Sequence, residues 1–484
     1  MNTDKTNSIS PSDIDASCRV PLLALFGGAA LWLVLGLLLG LAAAMSFHAP
    51  DIFANYASLS YGRAQAAAND LLLYGFAIPA GLGVTLWIFA RLSQAPLALP
   101  IVPIAAANLW HLGVFIGTAA ILLGHSTGYT WLEYPRVPAV LLFAAFLLVA
   151  VSATATMGFR ADRDLYPSHW FLFAALLWFA WAYSSANMFL LSGHPPRGVV
   201  QAIIGWWFAN NLIFVGLALA GIGVAFYFLP KFAGQPLASS GYTLFAFSTL
   251  ICFGAWCGIP QSAPVPAWLP ATSAFAALLS FIPILAIAII AWKTASPAGF
   301  SLNGGPFCFV KFGTVSFVAS AFLYLAEFCP RYSRAVDFTW FGFGVTQWQL
   351  LGFAGMIFCG AIYHILPLVM QKELPFPRLA RGTFFFFGAG VLIYVIPLLV
   401  GGVEQGLKLR HFNIAFAEAN AAAVMFLRVS TLGQVSMLVG TLFLLLNVLV
   451  MTIRWKVGLA KAAWRAVTSP LESPAERPNT EVTP

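Results

Sequence analysis

Long apolar runs alternate with short polar punctuation along almost the whole chain. A bilayer core is crossed by roughly 20 apolar residues in a helix, because every backbone polar group must then be satisfied within the segment. On that template the pattern predicts twelve helices, over 20–46, 70–92, 100–124, 136–158, 167–192, 201–230, 241–258, 269–292, 307–328, 339–370, 382–403 and 428–453. The seventh is short, and the tenth is long enough to require a tilt. The expected fold class is therefore all-α, a polytopic membrane protein with about twelve transmembrane helices. Residues 1–19 form a cytoplasmic N-terminal segment, 20–455 the membrane domain and 456–484 a largely disordered cytoplasmic tail, rich in Pro, Glu, Ser and Thr from Ser469 on.

Composition agrees: 60% of the 484 residues are hydrophobic and only 8% charged. Soluble proteins carry roughly 25% charged residues, so this chain lacks the polar side chains to cover a water-facing surface. Its net charge of +8 does not point to nucleic acid, since the basic residues punctuate the ends of apolar runs and form no patch. Sorted by alternate loops, sixteen Lys and Arg lie on the side of the termini and eight on the other. The positive-inside rule then places both termini in the cytoplasm. Cys18, Cys252, Cys257, Cys308, Cys329 and Cys359 form no CxxC or CxxCH, which leaves out the usual zinc, iron–sulfur and c-type haem patterns. The first apolar run lacks a cleavage site and reads as a retained anchor.

Charges and histidines inside a span are costly and draw attention first. Asp70 opens the second predicted span, Glu327 closes the ninth and Arg428 opens the twelfth, all near an interface. Of the seven histidines, only His111 lies well inside a span, and none forms HxH, HH, HxxxH or ExxH. A lone histidine of this kind is commonly a hydrogen-bonded packing residue.

Several ordered stretches resemble subunit I of the haem–copper oxidases, most closely the cbb-type. Tyr61-Gly62-Arg63 precedes the second span. Gly205-Trp206-Trp207-Phe208-Ala209-Asn210-Asn211 is similar to the family's W-W-Y-x-H-N, and Phe226-Tyr227-Phe228-Leu229-Pro230-Lys231 to its Y-Y-F-x-P-K at the same spacing. Pro264-Val265-Pro266-Ala267-Trp268 follows the seventh span, and Trp131-Leu132-Glu133-Tyr134-Pro135 the third. Gly344-Val345-Thr346-Gln347 falls in the frame of the G-H-x-H helix, with Gly360-Ala361-Ile362-Tyr363 beyond it.

The resemblance implies six histidine ligands: a low-spin haem pair on the second and tenth helices, a high-spin haem ligand on the tenth, and three for copper on and after the sixth and seventh. The matching positions here are Ala68, Asn210, Pro260, Gln261, Val345 and Gln347. Ala and Val have no lone pair to give, and Asn and Gln are poor donors to haem iron or copper. The expectation is a scaffold without haem or copper and without catalytic residues, a non-catalytic subunit, assembly or regulatory partner within a respiratory complex. One alternative is an active terminal oxidase or nitric oxide reductase with ligands relocated to His111, His125, His169 or His364. Another is a proton-conducting or carrier protein using Asp70, Tyr74, Asn210, Tyr324, Glu327 and Gln347. A vacated interior must be refilled, so Trp207, Phe208, Trp340, Phe343 and Trp348 are expected to turn inward, at least two of them near Val345 and Gln347. The loop-charge asymmetry predicts that a cytoplasm-active reporter works when fused at Ser10 and at Pro484; activity of a periplasm-specific reporter at either point reverses the topology.

Overall fold

The computed structural model describes residues 10–160, 164–191, 193–298 and 305–468. Lys5, Arg163, Arg477 and the tail from Ser469 lie outside the described residues. Within them the secondary structure is entirely helical, and twelve long helices follow the predicted order: α1 Pro11–Met45, α2 Tyr61–Ser93, α3 Ile101–Leu123, α4 Arg136–Gly158, α5 Pro167–Leu190, α6 Val199–Ala233, α7 Ser240–Gly254, α8 Trp268–Ala298, α9 Pro306–Ala326, α10 Trp340–Met370, α11 Pro377–Leu409 and α12 Phe416–Thr468. Eleven are long and apolar enough to cross a membrane; α7 is the short one, as its sequence foretold. A two-turn helix, Pro330–Val336, sits in the loop before α10.

Several ends differ from the hydropathy reading for local reasons. Helix α1 starts at Pro11, where the Ser10 hydroxyl accepts from the Asp13 N–H and caps the first turn. Helix α12 runs unbroken through Thr468, so 456–468 is helix and not disordered tail. This stretch has no Gly-Pro breaker and pairs residues of high helix propensity. Helix α2 begins at Tyr61, which corrects the view of Asp70 as an interfacial cap: the residue lies in the helix interior, fully buried. Hydropathy hides Tyr61–Asp70 because its polar groups face protein and not lipid. Arg428 likewise does not open α12; it is exposed within the helix, and its Nε donates to the Phe47 carbonyl at 2.7 Å.

Burial sets the layers. The most apolar stretch of α2 is 100% buried and those of α6 and α10 are 83% buried, against 39–56% for the other long helices. These three helices form the centre, and the rest wrap it and meet lipid. Each central helix carries one π-helical segment, Leu71–Ala77, Asn210–Leu217 and Trp348–Gly355. Such segments turn polar side chains into a bundle and often mark functional sites. All three begin beside the positions singled out in the sequence: Ala68 to Asp70, Asn210 and Gln347.

At the periphery, α11 and α12 meet backbone to backbone. A Cβ at Gly433 would stand 2.3 Å from the Tyr394 nitrogen, and one at Gly390 would stand 2.8 Å from the Gly433 carbonyl. Small residues at a membrane helix interface permit this approach. Gly433→Leu is therefore expected to lower the thermal unfolding temperature in detergent, by the equivalent of about 1–3 kcal/mol of overpacking. Gly458→Leu, in open space near the end of the same helix, should leave it unchanged; equal melting of the two variants contradicts the packing.

Candidate functional site

Three polar assemblies gather at the end of the bundle that carries the 124–135, 255–267 and 327–339 loops. The first lies between α2 and α10. Gln347 donates from Nε2 to Asn69 Oδ1 at 3.1 Å, and Gln65 Nε2 donates to the same oxygen at 3.0 Å. Gln347 is fully buried and Asn69 nearly so. Ala68 and Gln347 border the same residual space, a cavity of only about 10 Å³, closed by Gly36 and Gly40 of α1 and by Tyr394 and Gln434. The two central helices are thus joined by an amide pair, with no room between them for more than a single water-sized molecule.

The second assembly binds α6 to the end of α7. Asn210 Nδ2 donates to the Gly254 carbonyl at 2.9 Å, and Asn211 Nδ2 to the Ala255 carbonyl at 3.2 Å. The last carbonyls of a helix lack intrahelical partners, so both asparagines act as caps for α7. Asn210 Oδ1 in turn accepts from the Tyr324 hydroxyl at 2.8 Å. Gly258, at φ +110°, lets the following loop lie against Asn210, where a Cβ would come within 2.6 Å of the Asn210 Cβ. Gln261 turns away and donates to the Pro270 carbonyl at 2.8 Å.

The third assembly is a carboxyl pair. Asp70 and Glu133 are both buried and interact electrostatically, and among the described residues neither Asp70 oxygen nor Glu133 Oε2 has a hydrogen-bond partner. Burial raises Glu133 to about 7, while its Asp70 neighbour and its own loop backbone pull it down. Trp131, with a left-handed φ of +67°, turns its carbonyl toward the Tyr74 hydroxyl, which donates to it at 2.5 Å. Arg63 of the Tyr-Gly-Arg stretch donates to the Leu122 carbonyl at 3.3 Å and finishes α3.

Between these assemblies opens a cavity of about 610 Å³, bounded by α6, the end of α9, the start of α10 and the three loops. Asn210, Tyr324, Glu327, Asp337 and Gln349 contribute its polar wall, which Pro260 also lines. Val345 is buried but does not line it. Among the described residues its lining includes no histidine, cysteine, methionine, lysine or arginine. Burial, reinforced by Asp337, raises Glu327 to about 8, and its Oε1 has no hydrogen-bond partner. Burial also raises Asp337, partly offset by its bonds to Ser262. Sequence reasoning did not single out Asp337, Gln349 or Glu133 for this role; only their polarity at span ends could have drawn attention to them.

The histidines are dispersed. His111 Nδ1 accepts from Trp32 Nε1 at 3.1 Å, and its Nε2 lies 3.1 Å from the Ala24 carbonyl. Both nitrogens are engaged, which fixes a neutral Nε2–H tautomer. His364 meets Phe228, Phe232 and Trp87 edge to face, and His169 stacks on Phe89. Among the described residues no three His, Cys, Asp or Glu side chains converge as a metal site would need. Of the aromatics expected to refill the interior, only Phe208 is fully buried, and it packs near Tyr183. Trp207 packs on Trp181, and Trp340 sits with Phe47 and Phe343. That expectation is corrected: amides close the α2–α10 space, and the space beside α6 stays open.

A profile of the Cytochrome C and Quinol oxidase polypeptide I family matches residues 20–436. The chain belongs to this family. It is 23% identical over 473 residues to the cytochrome c oxidase subunit 1 homolog of Azorhizobium caulinodans, covering 92% of this chain and 84% of that one. It is 24% identical over 398 residues to the Cbb3-type cytochrome c oxidase subunit CcoN1 of Stutzerimonas stutzeri, covering 79% and 82%. Its fold superposes on a solved heme–copper terminal oxidase with a TM-score of 0.77 at 15% identity, over 90% of this chain and 84% of the other. The likeness to cbb-type subunits read from the motifs and the all-helical polytopic bundle read from the apolar runs are thus both found.

The Glu327 carboxyl gives a pH prediction. Its folded value, about 8, lies above the ordinary 4.5, so the folded state holds the proton more tightly. This contribution to stability is complete below about pH 4.5 and is lost as pH rises toward 8. Glu327→Gln should flatten the fall in unfolding temperature across that window; an unchanged pH profile would mean that the carboxyl is solvated.

Proposed function

We propose that this chain is a non-catalytic member of the subunit I family, a membrane scaffold that keeps the bundle and has lost the redox centres. The observation that carries the reading is the Gln347–Asn69 hydrogen bond. It spans the place where relatives of the cbb-type are expected to hold a low-spin haem between α2 and α10. The residues present do not fit haem or copper. Ala68 and Val345 have no donor atom. The amide nitrogens of Asn210 and Gln261 donate to backbone carbonyls, and the Asn210 oxygen accepts from Tyr324. Amide oxygens are poor donors to haem iron or copper, and Pro260 has no side-chain donor atom. Tyr324 could in principle face an iron, but its hydroxyl proton is committed to Asn210.

Relocated ligands receive no support from the histidines, since both His111 nitrogens are occupied. Phe89 and Trp87, which carry the contacts of His169 and His364, point to different sides of α2. The carrier reading is disfavoured by the central helices. The polar residues it would use lie at one end, and below them α2 from Gly75 to Leu86 offers only Thr85, which bonds its own helix at the Gly81 carbonyl. Helix α6 from Leu212 to Phe226 and α10 from Leu350 to Ile362 are apolar throughout. At 1.5 Å per residue these stretches span about 20 Å without a proton relay.

In this reading the protein sits in a bacterial inner membrane with both termini cytoplasmic, and other respiratory-complex subunits are its partners. Purified protein should show no Soret band and no stoichiometric iron or copper. Near-unit haem that survives washing overturns the assignment, and His111→Ala then tests whether that histidine holds it.

A further inference from the structure

We propose that the cavity between α6, α9 and α10 is a binding site for a small organic cation, a primary ammonium compound carrying a neighbouring oxygen. The inference rests on the haem-free reading of this same space. Charge supplies the first reason: Glu327 and Asp337 both line the cavity, and among the described residues no basic side chain does. Two carboxyls in one pocket without a counter-charge leave a deficit that a cation fills.

The hydrogen-bond inventory supplies the second. Glu327 Oε1 is buried without a donor, and its carboxylate lies over Gly342, where a Cβ would stand 3.6 Å from Oε2. Gln349 is 97% buried, and its Nε2 has no acceptor. An ammonium N–H would satisfy the first atom and a ligand hydroxyl or ether oxygen the second. Unpaired buried polar atoms are destabilising because they have given up water without gaining a partner, and a ligand with both groups removes that penalty.

The third reason is the aromatic wall, with Trp131, Trp206, Phe214, Tyr324, Phe328 and Phe338 around the space. Aromatic faces attract organic cations within a desolvated pocket. A volume of about 610 Å³ is far larger than a bare metal ion needs, and among the described residues no third ligating side chain joins the two carboxyls. Trp131 and Phe338 hold left-handed φ values of +67° and +59°, so two wall residues occupy backbone conformations that cost energy and shape the mouth.

Titration of Glu327 couples to binding. The groups facing it are Asp337 and Tyr324, with no Lys, Arg or His on the wall. The protonated carboxyl must release its proton to receive a cation, so affinity should rise from about pH 6.5 to about pH 8.5, while the amine stays charged.

The test is a titration of the intact purified protein with ethanolamine hydrochloride, read by tryptophan fluorescence, since Trp131 and Trp206 line the cavity. Ethylene glycol and equimolar sodium chloride are the controls. Saturable binding is expected for ethanolamine alone, stronger at the higher pH, and weakened about tenfold or more in Glu327→Gln and in Asp337→Asn. Unfolding temperature, read for each variant, separates lost binding from a lost fold. Repeating the titration in nanodiscs of phosphatidylcholine with and without phosphatidylethanolamine assigns the source: competition by the latter lipid points to a headgroup, and its lack of effect to a free solute. No saturable response, or equal affinity in both folded variants, overturns the proposal. A Soret band on the same sample overturns the haem-free reading instead.

Discussion

A buried amide pair holds the centre of this protein together. Lipid gives apolar helices no reason to prefer one another over acyl chains, so contacts between polar groups fix the register of the central helices. Gln347 and Asn69 do this for α10 and α2, with Gln65 closing the arrangement from the turn below. Because both amides are buried, separating them would leave unpaired groups in a low-dielectric interior. The small cavity and the close approach of α1 through Gly36 and Gly40 both follow from it.

The other central interface is built on the same chemistry with a different result. Asn210 and Asn211 cap the end of α7, and Asn210 accepts from Tyr324. These bonds hold α6, α7 and α9 in place without filling the space beside them. One space is therefore closed by amide contact, whereas the neighbouring one persists as a polar chamber with two acids.

Much of the fold was legible in the sequence because a membrane reduces the problem to runs of apolar residues. Twelve runs became twelve helices, and the ordered motifs pointed to the right family. The helix ends were less legible. Tyr61–Asp70 reads as a polar loop by hydropathy, yet it is buried helix, since its polar groups find partners across the bundle. The contacts that the candidate positions make were not legible. Nothing in the identity of Gln347 announces that it meets Asn69, 278 residues away in sequence. The refilling aromatics failed for a related reason: helical phase sends Trp207 and Trp340 to the rim, and chain pattern alone does not set that phase around π-helical segments.

The most direct test is an experimental density map of the purified protein, resolved well enough to show side chains between α2 and α10. The account predicts that the Asn69 and Gln347 amides lie in hydrogen-bond contact, with continuous side-chain density joining the helices. A flat tetrapyrrole density between Ala68 and Gln347, holding the two helices apart, would contradict it.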